Sequence, residues 1–427
     1  MPRGVHPPEV DSCLFGLPAL TPYPLSSKMN ASERGPTRTI ITSKRGPTVQ
    51  ALERLAQQMK NRGIQLRELK KQGKKIVGYF PGGYFPEELA YAAGAVPVAL
   101  NRGGDHEPVE VSGAYMSRWI YTFGRANIGY RILGSEPIYN LIDIYVVPVT
   151  DNHVRIVADT WDVFTDVEVF RFGIPHTKHP WSVDYYLHGI TSLKEKLESL
   201  TGNKITDERL KEAIQLANRE RELLTEISLS RKSPRPPIST RDFVFLNHAS
   251  MVLDKSVMVP ALEEIAAGIR GKEGPETGKA RLLLTGTTLA YGDYRILDMI
   301  EAAGGMVVIE EFGEGIRHYW EKVKLNGDLM KALTDRYYTR RVPPAWHRPG
   351  TERQEFVVKL AKEFKVQGVV WYQMMNRESD EFESYWYPDI LKKQVGIPML
   401  KLTSDYDSME RGPFSTRLET FIESLGR

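Results

Sequence analysis

Apolar residues follow two patterns along the chain. Short, nearly continuous apolar runs alternate with longer stretches in which apolar residues recur at helical spacing. Strands that are apolar on both faces are typical of parallel sheets covered by helices on both sides. The fold class predicted is therefore α/β, with two Rossmann- or flavodoxin-like doubly wound parallel-sheet domains and additional helices. The predicted strands lie at 75–80, 142–149, 167–172, 281–285, 306–310, 369–373 and 399–402.

Helical spacing and turn residues divide the rest of the chain. Ser233–Pro237 contains three prolines and is the best interdomain boundary. It separates a first α/β domain with helical additions, residues 46–232, from a second at 238–427. Residues 1–45 are expected to be a disordered or extended tail, with Met1 or Met29 as the start. Helices are predicted at 48–72, 86–93, 182–201, 206–230, 291–303, 352–364 and 381–393, and in the segment that follows residue 150.

Composition narrows the class of protein. The 57 basic and 54 acidic residues give a net charge of +3, too small an excess to indicate binding to nucleic acid or a membrane. No apolar run approaches the roughly 18 residues of a membrane span. The single cysteine, Cys13, excludes an intrachain disulfide and any site in this chain with several cysteine ligands. A cytoplasmic location is expected, since cysteine-poor chains suit a reducing compartment.

The turn after the first predicted strand is a candidate ligand site, because parallel α/β sheets bind ligands at the carboxyl ends of their strands. Gly82 and Gly83 allow the backbone to approach a partner closely, and Tyr84 follows them. Glu87 and Glu88 could contact a ligand. They could equally complement the dipole of an ordinary helix start.

Four later turns also follow predicted strands. Asp151 and His153 suggest helix capping or acid–base chemistry, with capping the simpler interpretation. Thr287 lies in a loop suited to oxygen-rich ligands. Glu311 belongs to a group of three carboxylates typical of solvated loop charges or of a hard-metal site. Arg377 could bind a phosphate or form a salt bridge.

These turns carry a family resemblance over about residues 50–427. The segment 75–98 resembles the opening signature of the 2-hydroxyacyl-CoA dehydratase and benzoyl-CoA reductase family. Leu283–Gly286 with Tyr294–Gly305 is similar to the signature of its second domain. The segment 396–400, followed by Asp405-Tyr406 and 415–421, matches its C-terminal pattern.

The resemblance implies an anaerobic acyl-CoA enzyme built from two related subunits. A cysteine-bearing paralogous subunit would hold a 4Fe–4S cluster that meets an acyl-CoA or aryl-CoA substrate. An ATP-dependent iron–sulfur activator protein would supply electrons. The dehydratases remove water through a ketyl radical, and the reductase acts on aromatic rings in aromatic degradation.

This chain departs from the family at every cluster cysteine. The three ligand positions fall on Gly82, on Asp151 or its neighbour, and near Asn376. Carboxylate and amide oxygens are poor substitutes for thiolates on iron–sulfur iron, and glycine has no side chain. We therefore expect no cofactor in this chain alone, and a 4Fe–4S cluster in the partner subunit.

Three hypotheses follow. The first is a non-cluster subunit that helps to form the acyl-CoA cavity, with Gly82, Gly83, Tyr84, Glu87, Glu88, Thr287 and Arg377 as candidate contacts. The second is a stand-alone acyl-CoA or small-molecule binding protein that has lost catalysis. The third is an oxygen-ligand metalloenzyme that uses Asp151, His153 and Glu311. For the first hypothesis, the predicted interface or core aromatics are Tyr115, Trp119, Tyr121, Phe123 and Tyr130.

Overall fold

The computed structural model describes residues 46–426, which lie within one compact unit. Its named strands form two four-stranded sheets, and every strand pairing is parallel. The predicted α/β class is therefore confirmed. The strands are β1 (Ile76–Tyr79), β2 (Val96–Ala99), β3 (Ile144–Val149), β4 (Glu168–Gly173), β5 (Ala280–Gly286), β6 (Gly305–Glu311), β7 (Gly368–Met374) and β8 (Met399–Ser404).

Helices connect the strands and cover the sheets. Those of the first half are α1 (Pro47–Lys71), α2 (Glu87–Ala92), α3 (His106–Val111), α4 (Thr122–Leu133), α5 (Asn152–Phe164), α6 (Pro180–Thr201) and α7 (Asp207–Ser230). Those of the second half are α8 (Thr240–Ser250), α9 (Lys255–Ile269), α10 (Arg295–Ala302), α11 (Ile316–Tyr319), α12 (Leu329–Thr334), α13 (Thr351–Glu363), α14 (Glu378–Ser384), α15 (Tyr387–Gln394) and α16 (Arg411–Leu425). Within residues 46–426, no helix is both long and apolar enough to span a membrane.

The two sheets have the same strand order. The first runs β2-β1-β3-β4 and the second β6-β5-β7-β8. In such an order the chain leaves the first strand toward one side of the sheet and returns on the other. The loops after β1 and β3, and those after β5 and β7, therefore diverge and leave a crevice between them. Each sheet has one such switch point.

Local sequence explains two differences from the predicted elements. The sequence pattern did not predict β2, which has four residues including Pro97. Proline cannot donate a hydrogen bond to a sheet, but β2 is an edge strand, where proline is tolerated. The helix predicted at 381–393 is two helices, α14 and α15, with Pro388 near the start of the second.

The hydrophobic core is shared between the halves. Leu55 and Met59 of α1 belong to the same buried cluster as Leu262 of α9 and Val369 of β7. The boundary predicted at 233–237 thus lies between elements that pack together, and the division into two domains stays a prediction. The predicted tail, residues 1–45, lies outside the described residues.

Buried ion pairs hold α2 against the neighbouring helices. Glu88 is fully buried and pairs with Arg221 of α7 at 2.7 Å, and it accepts a hydrogen bond from the Tyr337 hydroxyl at 2.7 Å. Burial alone would raise the pKa of Glu88, but Arg221 and Arg336 outweigh that effect and lower it. Ionised Glu88 therefore links α2 to α7 and to the chain near Tyr337.

Arg221→Met should destabilise the protein strongly, because it leaves the Glu88 carboxylate buried without its cation. We expect the free energy of unfolding to fall by about 3–5 kcal/mol, measured by urea denaturation. The matched control is Arg219→Met on the same helix. Arg219 pairs with Glu263, and both side chains are 46% exposed, so the expected loss is about 0–1 kcal/mol. Equal losses in the two variants would contradict this assignment.

Candidate functional site

A cavity of about 70 Å³ lies where the switch points of the two sheets meet. Each of the five turns that the sequence analysis places after predicted strands contributes residues to this cavity. The residues from these turns are Pro81, Gly82, Tyr84, Thr150, Thr287, Thr288, Gly313, Glu314 and Arg377. Side chains from other elements complete the wall, namely Phe80, Tyr121, Phe123, Pro148, Val154, Arg317, Pro344, Trp346 and Asp380.

The glycine turn after β1 is shaped by Arg341. Gly82 and Gly83 have φ angles of 129° and 79°, a region that favours glycine. A Cβ atom at position 83 would collide with the Arg341 guanidinium, which donates to the carbonyl oxygens of Gly82 and Gly313. The same guanidinium lies 5.0 Å from the centre of the Tyr84 ring. The turn is thus held in place by a buried cation.

An ion pair joins the carboxyl ends of the two sheets. Arg377, after β7, donates to both carboxylate oxygens of Asp151, after β3, at 2.8 and 2.7 Å. Its guanidinium also lies 4.4 Å from the ring centre of Tyr121 and 5.1 Å from that of Trp346. Burial would raise the pKa of Asp151, but Arg377 outweighs it and lowers the pKa to about 2. Both groups are therefore charged at neutral pH.

The structure brings together the three positions at which the resemblance implies cluster ligands. Gly82 lines the cavity, and Asp151 and Asn376 are sequence neighbours of the lining residues Thr150 and Arg377. Asp151 also caps α5, as predicted, by accepting from the backbone N–H groups of His153 and Val154. Asn376 donates to the carbonyl oxygen of Arg118 at 3.0 Å. With no thiolate in these turns, the residues present do not fit an iron–sulfur cluster.

Glu314 is the acidic side chain of the cavity wall that lacks a cationic hydrogen-bond partner in the described residues. One carboxylate oxygen accepts from the Leu289 backbone N–H at 2.6 Å. Burial raises the pKa of Glu314 to about 7, although Arg317 and Arg341 act in the opposite direction. Near neutral pH this carboxyl group can therefore hold or release a proton. Thr287 lies beside it in the wall, and its hydroxyl oxygen accepts from the Met374 N–H at 3.2 Å.

Three of the candidate contacts do not line the cavity. Gly83 faces Arg341, and Glu88 is engaged by Arg221. Glu87 pairs with Lys255 at 2.7 Å and accepts a hydrogen bond from the Tyr79 hydroxyl. Glu87 and Glu88 lie at the start of α2, as the helix-start interpretation predicts. In addition, each carboxylate has a buried cationic partner.

The three residues of the metalloenzyme hypothesis are each engaged elsewhere. Asp151 binds Arg377, and His153 contacts the Glu378 carboxylate at 2.7 Å. Glu311 is fully buried and receives hydrogen bonds from Thr285 and Arg353. Among residues 46–426, no three His, Cys, Asp or Glu side chains come together in an arrangement that could hold a metal ion. The geometry gives this hypothesis no support.

The aromatic segment divides between core and surface. Tyr121, Phe123 and Tyr130 are buried in the main core, Tyr115 is half-buried, and Trp119 is 63% exposed. Of these five, Trp119 is the one that can offer a large apolar surface to a partner.

No sequence pattern identified Glu314, Arg317 or Trp346 individually as a site residue. Glu314 was visible as part of an acidic turn after β6, but its burial and raised pKa depend on packing. Trp346 comes from the irregular segment between α12 and α13, where no pattern places it at the cavity.

Known proteins with similar sequences match up to 85% of this chain. The Escherichia coli (strain K12) protein YjiM, provisionally named a dehydratase subunit, is 26% identical over 85% of this chain and 94% of its own length. The (R)-phenyllactyl-CoA dehydratase beta subunit of Clostridium sporogenes is 22% identical over 84% of this chain and 94% of its own. A benzoyl-CoA reductase subunit of Thauera aromatica is 25% identical over 61% and 67% respectively.

A family model describes most of the same region. The model for the D-component of 2-hydroxyglutaryl-CoA dehydratase matches residues 83–425, which include the four later site turns and every strand except β1. The expectation raised by the sequence signatures is thereby confirmed. The chain belongs to the 2-hydroxyglutaryl-CoA dehydratase D-component family.

Proposed function

We propose that this chain is the non-cluster subunit of a heteromeric enzyme of the benzoyl-CoA reductase or 2-hydroxyacyl-CoA dehydratase type. It would form part of the acyl-CoA cavity beside a cysteine-bearing paralogous subunit that holds the 4Fe–4S cluster. An ATP-dependent iron–sulfur activator would act on the complex. The observation that carries the proposal is the Asp151–Arg377 pair, which stands at the site where the resemblance implies thiolate ligands.

The size of the cavity supports a role within a complex. An engineered apolar cavity of about 150 Å³ accommodates benzene, whereas this one measures about 70 Å³. It cannot enclose an aromatic acyl group as it stands. A partner that supplies the rest of the wall would resolve this mismatch, and the names of the relatives describe subunits.

Glu314 gives the cavity a chemical role without a metal. In its neutral form it can donate a hydrogen bond to a thioester carbonyl oxygen, and in its ionised form it can accept a proton from the acyl group. Arg317 and Arg377 line the same wall, where each is paired with a carboxylate, Glu311 and Asp151 respectively. We assign to this chain the positioning of the acyl group and the handling of one proton.

A surface for the partner lies beside the cavity. Trp119 and Met375 are exposed and adjoin the site, since Asn376 donates to the Arg118 carbonyl and the Thr122 N–H donates to the Met375 carbonyl at 3.3 Å. Exposed aromatic side chains are enriched at the centres of stable interfaces. The alternative function is a stand-alone acyl-CoA or small-molecule binding protein that has lost catalysis, in which the Asp151–Arg377 pair replaces the implied cluster ligands.

The first prediction of this proposal is the composition of the native complex. Anaerobic purification of this chain from its host should recover a related subunit with cluster cysteines, with iron and sulfide bound to that subunit only. The chain alone, reconstituted anaerobically, should contain no stoichiometric iron, and it should bind acyl-CoA thioesters far more weakly than the complex does. Recovery of a monomer or homodimer that binds acyl-CoA tightly would favour the alternative function.

Glu314 should make stability depend on pH in a specific direction. Its ordinary pKa is 4.5 and its folded value is about 7, so between these values the folded state keeps a proton that the unfolded chain has lost. Relative to Glu314→Gln, wild-type stability should therefore fall by about 3 kcal/mol as pH rises from about 4.5 to 7. Urea denaturation across this range measures the difference, and parallel curves for the two proteins would contradict it.

Trp119→Asp should weaken association with the partner without unfolding the chain, because the side chain is exposed. Truncation of a central interface tryptophan weakens binding by about 2 kcal/mol or more, roughly thirtyfold. Trp181→Asp is the matched control, since Trp181 is 61% exposed at the start of α6 and does not line the cavity. Sedimentation of the reconstituted complex gives the affinities. Unchanged affinity in Trp119→Asp would remove this surface from the interface.

A further inference from the structure

Three aromatic side chains lie exposed together on the segment formed by α14 and α15. Phe382, Tyr385 and Trp386 are 69%, 67% and 55% exposed, and their spacing of three and four residues puts them on one helical face. The N–H groups of Tyr385 and Trp386 donate to the carbonyl oxygens of Phe382 and Glu383, so the turn between the helices continues the helical path. Monomeric proteins rarely expose a large contiguous apolar patch, and such a patch marks an interaction surface.

The opposite face of the segment is anchored in the core. Arg353 of α13 donates to the Glu383 carboxylate at 2.6 Å and to the Asp380 carboxylate at 3.3 Å. At the start of α15, the buried Tyr387 ring packs 4.9 Å from the ring centre of Trp371. Because these contacts fix the rotation of the segment about its axis, its aromatic face cannot turn toward the core. The face is therefore preorganised for a partner.

Charges of opposite sign lie at the two ends of this face. The first turn of α14 carries Glu378 and Glu381, and Glu378 is exposed. The last turn of α15 carries Lys392 and Lys393, which are exposed and form no ion pair with any residue in 46–426. This order suits the dipole of each helix. It also makes the segment complementary to an antiparallel copy of itself, because the acidic end of each copy would meet the basic end of the other.

We propose that the α14–α15 face pairs two copies of this chain about a twofold axis. A twofold interface uses the same patch on both copies, so the patch must be complementary to itself. The aromatic centre and the oppositely charged ends meet this requirement. The three aromatic residues expose roughly 400 Å² per chain. Two copies would thus bury about 800 Å² of aromatic surface, half of a standard interface of about 1,600 Å², and the charged rim would supply the remainder.

This inference does not rest on the proposed function. The paralogous subunit is assigned to the surface at Trp119 and Met375, whereas the twofold pair uses side chains of α14 and α15. A pair of chains could carry one paralogous subunit on each copy. The pairing can therefore be tested on this chain alone, and its failure would leave the proposed function unaffected.

Sedimentation equilibrium of the full chain, without ligand or paralogous subunit, tests the pairing. Wild type should form a reversible species of twice the 48.5 kDa chain mass. Tyr385→Asp should weaken self-association by at least about thirtyfold, because it places a charge at the aromatic centre on both copies. The matched control is Tyr185→Asp on α6, where the tyrosine is 53% exposed, and it should pair like wild type. Trp119→Asp should also pair like wild type.

Charge reversal tests the antiparallel arrangement. Glu378→Lys, and the double variant Lys392→Glu with Lys393→Glu, should each weaken self-association by about tenfold, because each brings like charges together at both ends of the interface. An equimolar mixture of the two variants should pair with nearly wild-type affinity, since each end then joins opposite charges. Mixing would not rescue a variant that had lost its fold.

Three results would overturn the inference. The first is a full chain that stays monomeric at about 100 μM, well above the micromolar dissociation constants expected for interfaces near the standard size. The second is self-association that Tyr385→Asp leaves unchanged. If this variant instead weakens assembly with the cysteine-bearing subunit, the face belongs to that subunit. The third is a mixture of the charge-reversed variants that does not pair. The melting temperature of each variant shows whether it has folded.

Discussion

The ion pair between Asp151 and Arg377 is the contact on which the site depends. One residue follows β3 and the other follows β7, so the pair connects the switch points of the two sheets. Asp151 also caps α5, and the Arg377 carbonyl accepts from Gln373 Nε2 at 2.9 Å. Breaking a buried pair of this kind leaves an uncompensated charge. The Asp151–Arg377 ion pair therefore fixes the distance between the two sides of the crevice.

A second constraint comes from buried cations whose hydrogen bonds go to the backbone. Arg341 and Arg336 donate hydrogen bonds to backbone carbonyl oxygens, and burial lowers the pKa of each to about 10. The two glycines allow the successive positive φ angles of the turn, and the Arg341 guanidinium occupies the space where a Cβ atom at position 83 would lie. Its charge also acts on Glu314, where it opposes the effect of burial. The cavity wall itself contains two arginines, Arg317 and Arg377, which are paired with Glu311 and Asp151, and two acids, Glu314 and Asp380.

The sequence predicted the strand ends well because they follow from local pattern. Seven of the eight strands were recognisable as apolar runs, and the turns after them are where the cavity lies. The long-range partners were not predictable: Glu88 meets Arg221, 133 positions away, and periodicity carries no information about that pairing. Pro97 concealed β2 for the opposite reason, since a local rule against proline is relaxed at a sheet edge. Glu314 shows the same limit, because its acidity depends on burial by residues distant in sequence.

Under the proposed function, the proton on Glu314 and the Asp151–Arg377 pair would be the contributions of this chain to chemistry at a cluster held by its partner. The pair is neutral overall and includes Asp151, one of the three positions at which the resemblance implies cluster ligands. Glu314 can then be protonated or ionised according to the charge of the ligand. Its pKa of about 7 makes either protonation state accessible at little free-energy cost near neutral pH. In the proposed reaction, an ionised carboxylate at position 314 would repel an acyl group that gains an electron. A neutral acid would instead stabilise it by hydrogen bonding. The proposed function thus gives a chemical role to a desolvated glutamate, rather than a solvated one, in the wall of this cavity.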